Sequence, residues 1–397
     1  MPVNALGPTA EPEAAIEPER RPKSGREPAG TSGCKIGVTS VAGAGSQRHS
    51  SGGLMAAITA GSLATAAAGI AIAFAVAQRR NRRELDEDAV YQRLIREPLQ
   101  GTPVHAVSAD GTQLFAQIVG HDDAPTIVLM PGWTETLHYF DLLARELLGL
   151  GFRVVCCDLR DQGASASPIG CDHRIERYGE DLEALLAASC AERDDVVVAG
   201  HSLGGMSVAA WAAAFDISAR VRAVALINTG MADLIAGTRL WPLLPAPVRN
   251  AGERFALTST EPLPQRSTPI SRAVLRYGVF GPDTNPGLIA FFEQMSWETA
   301  PVNRAGAGRT VANLDLRSSV AHIAVPAAVI AGAADRMLPV SQAERMAEVL
   351  PQLAELLVLP RTGHMSPLER PAEISGALGR LGERVGLRLA PAPHGEQ

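Results

Sequence analysis

The chain has 397 residues, enough for one large domain or two average ones. Apolar residues make up 46% and charged residues 20%, a globular balance with room for a membrane-borne or alanine-rich element, and the net charge of −6 argues against nucleic acid as a partner. Five cysteines with no C-x-x-C, H-E-x-x-H or Walker spacing exclude an obvious disulfide framework, metal site or nucleotide cofactor.

Residues 1–53 are rich in Pro, Gly, Ser, Glu and Arg and are expected to form a disordered tail, because so few large apolar groups cannot offset the entropy of ordering. Met55 offers an alternative initiator. Residues 54–78 carry no charge and, at about 1.5 Å per residue, are long enough to cross a hydrocarbon core of about 30 Å as a transmembrane helix. Ala57, Gly61, Thr65, Gly69 and Ala73 fall on one face of such a helix. Arg79, Arg80, Arg82 and Arg83 follow at once, which places the C-terminal side, and with it the folded domain, in the cytoplasm as a single-pass membrane protein. Two alternatives stay open. One is an exported protein whose signal is cleaved near Ala75-Val76-Ala77, and the other is a helix that does not span. Residues 79–103 read as a charged juxtamembrane linker helix, bracketed at its end by Pro98 and Pro103.

From residue 104 a core of alternating strands and helices is expected. His105–Ser108 and Gln113–Val119 flank Asp110-Gly111, a hairpin signature. Thr126–Met130 and Arg153–Cys157 are short continuous apolar strands, and Phe140–Leu150 and Arg177–Ala188 are helical between and after them. Cys156 and Cys157 are neighbours on one strand, face opposite sides of it, and read as small buried residues, which favours a reducing compartment. Val196–Ala199 is the next strand, Met206–Phe215 the next helix, and Val221–Asn228, Ala327–Ile330 and Leu356–Leu359 are further strands. The alternation implies an α/β doubly wound, mostly parallel sheet with helices on both faces, and chemistry gathers at the carboxyl ends of such strands. Residues 231–319 interrupt the alternation with Leu240–Pro245, Val274–Tyr277 and Leu288–Met295, expected as short amphipathic helices forming a lid over an apolar substrate, with packing on the core the equal alternative for any one of these residues. The core resumes over 320–385, and 386–397 form a C-terminal tail.

Between the Val196 strand and the Met206 helix stands Gly200-His201-Ser202-Leu203-Gly204, the G-x-S-x-G pattern. A serine on so sharp a turn leaves no room for side chains two residues away, and the helix after it aims N–H groups and a positive dipole end at the same point. A serine hydroxyl needs a base within reach, and the base needs an orienting carboxylate. Asp335, just past the Ile330 strand, and His364, just past the Leu359 strand, supply both in Ser–Asp–His order.

With these motifs in hand, residues 104–385 resemble the α/β-hydrolase fold family. Gly200–Gly205 is similar to its nucleophile elbow, Gly332–Asp335 to its acid loop, Gly363-His364 to its histidine loop, and Asp158–Ser165 to its D-x-R-G-x-G-x-S turn. The resemblance implies Ser202 as nucleophile, His364 as base and Asp335 as its orienter, with the backbone N–H groups of Trp133 and Leu203 as the oxyanion hole. It implies no metal and no cofactor. Two departures stand out: Pro131-Gly132 replaces the usual His-Gly before the oxyanion residue, and Asp161-Gln162 replaces Gly-His in the Asp158 turn.

Relatives of this fold that open epoxides or remove halogen use an aspartate nucleophile, whereas a serine with an oxyanion hole suits acyl transfer. Hydrolysis of a carboxylic ester with an apolar acyl group is therefore expected, on a small-molecule or lipid-like substrate. Thioester hydrolysis, carbon–carbon hydrolysis, perhydrolysis and a non-catalytic binding role remain alternatives, and oligomeric state is left open.

Overall fold

A computed structural model describes residues 73–387 apart from 74, 81, 191, 192, 194 and 264–266. The expected tail 1–53, most of the apolar run 54–78 and the C-terminal tail from 388 lie outside the described residues. Among the described residues no helix is long and apolar enough to cross a membrane.

Eight strands form one sheet: β1 (Thr102–Val107), β2 (Gln113–Val119), β3 (Thr126–Met130), β4 (Arg153–Cys157), β5 (Val196–His201), β6 (Ala223–Ile227), β7 (Ala327–Gly332) and β8 (Leu353–Leu359). Their order is β1-β2-β4-β3-β5-β6-β7-β8. The β1–β2 and β2–β4 pairs are antiparallel and all others parallel. The first strand begins two residues before the expected core boundary of 104. Strands β3, β4, β5, β6 and β7 are buried along their whole length, as continuous apolar runs covered on both faces must be.

Alternation along these strands feeds two separate cores. Val128, Met130, Val155, Cys157, Val196 and Val198 point to one face, where helices Ile175–Cys190 and Leu203–Ala214 bring Leu182, Leu186 and Trp211. Ile127, Leu129, Val154, Cys156, Val197 and Ala199 point to the other, against Leu143 and Leu147 of helix Asp141–Gly149 and Ile374 and Leu378 of helix Pro371–Arg384. Cys156 and Cys157 are free, buried and divided between the two cores, as strand geometry requires.

Parallel register puts the functional loops on one edge. Met130 pairs with Gly200, His201 with Ile227, and Gly332 with Leu359. The residues that follow these strands therefore leave the sheet together.

Between β6 and β7 run helices Leu234–Gly237, Ala246–Thr258, Pro269–Gly278, Pro286–Ser296, Pro301–Ala312 and Arg317–Val320. One expectation for this insertion needs correction. Leu240–Pro245 is a turn rather than a helix, because Pro242 and Pro245 lack the N–H groups a helix needs and crowd the preceding turn. Part of the insertion packs on the core, the alternative left open for its residues. Phe280, Ile289, Ala290 and Phe292 belong to the second core, and helix Pro286–Ser296 packs on helix Ala89–Arg96, where Gln294 Nε2 donates to Tyr91 Oη at 2.5 Å. The stretch before Phe280 borders the cavity described below.

Candidate active site

Ser202 stands between β5 and helix Leu203–Ala214 with φ 49° and ψ −114°, a conformation that costs a residue with a side chain about 1–3 kcal/mol. Its surroundings hold it there. The Ser202 N–H donates to the Ile227 carbonyl at 3.0 Å, and its own carbonyl accepts from Thr229 Oγ1 at 2.7 Å. The flanking glycines are required by contact. A Cβ on Gly204 would lie 2.2 Å from the Met130 carbonyl oxygen, and one on Gly200 would lie 2.5 Å from the Gly204 backbone. The helix consequently begins at Leu203, three residues before the expected Met206.

The three residues expected to act together do meet. His364 Nε2 lies 3.0 Å from Ser202 Oγ, and His364 Nδ1 lies 2.8 Å from Asp335 Oδ2. Asp335 Oδ2 also accepts from Asn228 Nδ2 at 2.9 Å, while Oδ1 accepts from the N–H groups of Met337 and Leu338, both at 2.9 Å. The carboxylate is thus saturated with donors and fixed. With Asp335 on Nδ1, the N–H sits at that nitrogen and leaves Nε2 free to accept the serine proton. Burial by itself pushes the His364 pKa down, but the charge of Asp335 and its hydrogen bond push it up further, and the net shift is upward from 6.5.

Leu203 follows Ser202 directly in the chain, and Trp133 borders the same cavity as Ser202. Trp133 follows β3, lines the cavity beside Ser202, and is held by its indole Nε1–H, which donates to the Arg304 carbonyl at 2.9 Å. Among the described residues, neither the Trp133 nor the Leu203 backbone N–H has a hydrogen-bond partner. Two free donors beside a serine hydroxyl are what an oxyanion would need.

Residues that the motifs did not single out complete the frame. Glu135 is buried; its carboxylate accepts from the Gly132 N–H and bonds His201 Nδ1 at 2.9 Å. His201 Nε2–H donates to the His364 carbonyl at 2.9 Å. One buried chain therefore joins the Trp133 loop, the elbow and the histidine loop. Glu135 supplies the anchoring that a side chain from the Pro131 position does not. Asn228 joins Asp335 to the Gly363 carbonyl, and Ser366 Oγ bonds Asn228 Oδ1. Glu369 accepts from the N–H groups of Gly281 and Gly363 and from Thr284 Oγ1, tying the histidine loop to the insertion. Asn228 could have been suspected from its place at a strand's carboxyl end, but the others carry no local signal.

The Asp158 turn braces this frame from behind. Asp158 Oδ1 accepts from the Leu137 N–H at 2.7 Å and Oδ2 from the Ala164 N–H at 2.8 Å, and burial raises its pKa to about 6 against those bonds. Asp161, which replaces a usual glycine, takes φ 70° and pairs with His173. Arg160 is fully buried and paired with Asp181 through two contacts of 2.6 Å.

Ser202 and His364 open onto a cavity of about 960 Å³. Its walls come mainly from residues 234–279 and are apolar, with Met206, Leu234, Ile235, Leu275 and Met337 near the site. Among the described residues no cluster of His, Cys, Asp or Glu could hold a metal ion.

Known proteins share this arrangement of chain. A profile described as alpha/beta hydrolase fold matches residues 125–371. The 3-oxoadipate enol-lactonase 2 of Acinetobacter baylyi is 27% identical over 289 residues, which span 70% of this chain and 96% of that protein. A non-heme haloperoxidase of Rhodococcus erythropolis is 27% identical over 263 residues, spanning 65% of this chain and 91% of its own. A solved structure of a hydrolase from Pseudomonas aeruginosa superposes with a TM-score of 0.57 at 27% identity, covering 71% of this chain and 98% of the other. The chain belongs to the α/β-hydrolase fold family.

Proposed function

We propose that the protein is a serine hydrolase that cleaves a carboxylic ester with an apolar acyl group. The observation that carries this reading is the continuous relay Asp335–His364–Ser202, which ends at the floor of an apolar cavity. His364 Nε2 removes the Ser202 proton as Oγ attacks the ester carbonyl carbon. The carbonyl oxygen becomes an oxyanion held by the N–H groups of Leu203 and Trp133, where one such donor is worth about 2.7–4 kcal/mol. Collapse breaks the bond to the alcohol, which leaves with the proton from His364. Water, deprotonated by the same nitrogen, then attacks the acyl-enzyme and releases the acid.

Residues 234–278 act as the lid, narrower than the 231–319 read from the sequence. Their apolar walls favour a medium or long acyl chain over a small polar substrate. The enol-lactonase relative supports a member of this family acting on an acyl centre, since opening a lactone is the same chemistry on a cyclic ester. The uncharged run 54–78 followed by four arginines supports a single membrane anchor with the catalytic domain on the cytoplasmic side.

A series of p-nitrophenyl esters tests the reading. We expect kcat/KM to rise from acetate to octanoate and to vanish in Ser202→Ala. Activity highest on acetate would overturn the apolar-acyl assignment, and equal turnover by Ser202→Ala would overturn the mechanism. For the anchor, alkaline extraction of membranes should leave the chain in the pellet, and release into the supernatant would contradict it.

A further inference from the structure

The walls of the catalytic cavity have a second property that ester cleavage does not require. Trp241, Leu244, Val248, Ile270, Val274 and Tyr277 line the cavity and are at the same time exposed to solvent. The cavity mouth is therefore rimmed by large apolar side chains. Ile270, Val274 and Tyr277 recur at i, i+4 and i+7, so helix Pro269–Gly278 turns an apolar stripe outward where a surface helix normally presents polar groups. Leu243, at 97% exposure, and Phe255, at 67%, lie on the same two segments without lining the cavity. Single exposed apolar residues need no explanation, but a grouped set around a cavity mouth marks a contact surface.

Two observations select the partner. The first is charge. The described residues of 240–278 include four Arg (Arg249, Arg254, Arg272 and Arg276), two Glu, and no Asp or Lys, and one of the two Glu, Glu253, is buried. A basic apolar rim complements a surface with anionic headgroups over an apolar interior, and two copies of it placed face to face would repel. The second is the path of the chain. Gln78 Nε2 donates to the Ser267 carbonyl at 2.9 Å, two residues before helix Pro269–Gly278. The sequence reaching Gln78 is uncharged from Ser50 onward, and the exposed Arg79, Arg80, Arg82 and Arg83 come next. Gln78, the last residue of that uncharged sequence, thus stands beside the segment that leads into helix Pro269–Gly278.

We propose that this rim, with Leu243 and Phe255, docks on an anionic phospholipid bilayer, and that the acyl ester enters the cavity directly from it. The docking stands on the surface alone, while the entry of an ester rests on the proposed hydrolase reading.

The test uses the full chain reconstituted in vesicles of phosphatidylcholine and phosphatidylglycerol, some with brominated acyl chains. The chain has four tryptophans, so the Trp241 signal is taken as the difference between the protein and Trp241→Phe. We expect bromolipid to quench that signal at least twofold. We also expect Leu243→Asp with Phe255→Asp to abolish the quenching and lower hydrolysis of vesicle phospholipid at least tenfold, with turnover of a soluble short-chain ester kept within about twofold. That soluble turnover also shows that the variant is folded. An unquenched Trp241 overturns the docking, whether a second copy, another part of the chain or plain solvent covers the rim. Quenching without phospholipid hydrolysis, when the soluble ester is turned over, overturns the entry of the ester from the bilayer. Quenching with no ester turnover of any kind leaves the docking standing and removes the hydrolase reading.

Discussion

Asp335→Asn replaces one carboxylate oxygen by an amide nitrogen at a group that meets four donors. They are the N–H groups of Met337 and Leu338 on one oxygen, and His364 Nδ1 and Asn228 Nδ2 on the other. Either orientation of the amide sets its NH2 against two of them. If the NH2 faces the backbone, two buried hydrogen bonds are lost, at about 1–3 kcal/mol each. If it faces His364, the imidazole must accept at Nδ1, and its proton moves to Nε2, where it can no longer take the serine proton. The same exchange in the Ser-His-Asp template lowers kcat by about 10⁴-fold, or about 5.5 kcal/mol of barrier. A second consequence follows from charge. Burial holds the His364 pKa down while Asp335 raises it past its ordinary value. Without the carboxylate, burial is opposed only by the smaller pull of Glu135 and Glu369, so the acid limb of the residual activity should move to lower pH. The assay is kcat and kcat/KM for a soluble ester from pH 5 to 9, with thermal melting as a folding control. A loss of less than tenfold in a folded variant, or an acid limb that stays in place or moves up, would refute the reasoning.

For the unaltered protein, kcat/KM should fall as pH drops through a midpoint above 6.5, because the folded-state shift of His364 is upward and the neutral ring is the base. A rate flat between pH 5 and 8 would count against His364. Gly204→Ala would drive a Cβ to 2.2 Å from the Met130 carbonyl oxygen, and should destabilise the fold by about 3 kcal/mol in urea unfolding; a midpoint equal to that of the unaltered protein would show that the elbow is looser than its contacts imply. Arg160→Ala would strip the buried Asp181 of its charge partner and should cost about 3–5 kcal/mol by the same measurement, whereas a loss under about 1 kcal/mol would mean that water reaches the carboxylate.

The core strands were readable because burial on both faces leaves a continuous apolar signature. Strands Thr126–Met130 and Arg153–Cys157 end where that signature does and begin one residue before it. Ser202 and Asp335 were readable because each follows such a strand, and His364 because it follows the apolar run Leu356–Leu359 of the partly exposed edge strand β8; parallel pairing carries all three to one edge. Glu135 and His201 were not, since their roles come from contacts 66 residues apart in sequence. The helix start at Leu203 was hidden by Gly204 and Gly205, which are poor helix formers locally but are demanded by the close approach of Met130 and Thr229. The division of the insertion between cavity and core was not readable for a related reason. Leu288–Met295 has the composition of a lid helix, yet Phe292 and Ile289 complete the core behind the sheet, and amphipathic spacing does not say which neighbour an apolar face will meet.

The central claim is that Ser202 is a nucleophile activated by His364 and Asp335. Labelling the folded protein with a fluorophosphonate and mapping the adduct by peptide mass tests it most directly. The account predicts one adduct, on Ser202, lost in Ser202→Ala and slowed by orders of magnitude in His364→Ala. A folded protein that takes no label, or takes it equally in Ser202→Ala, would contradict it.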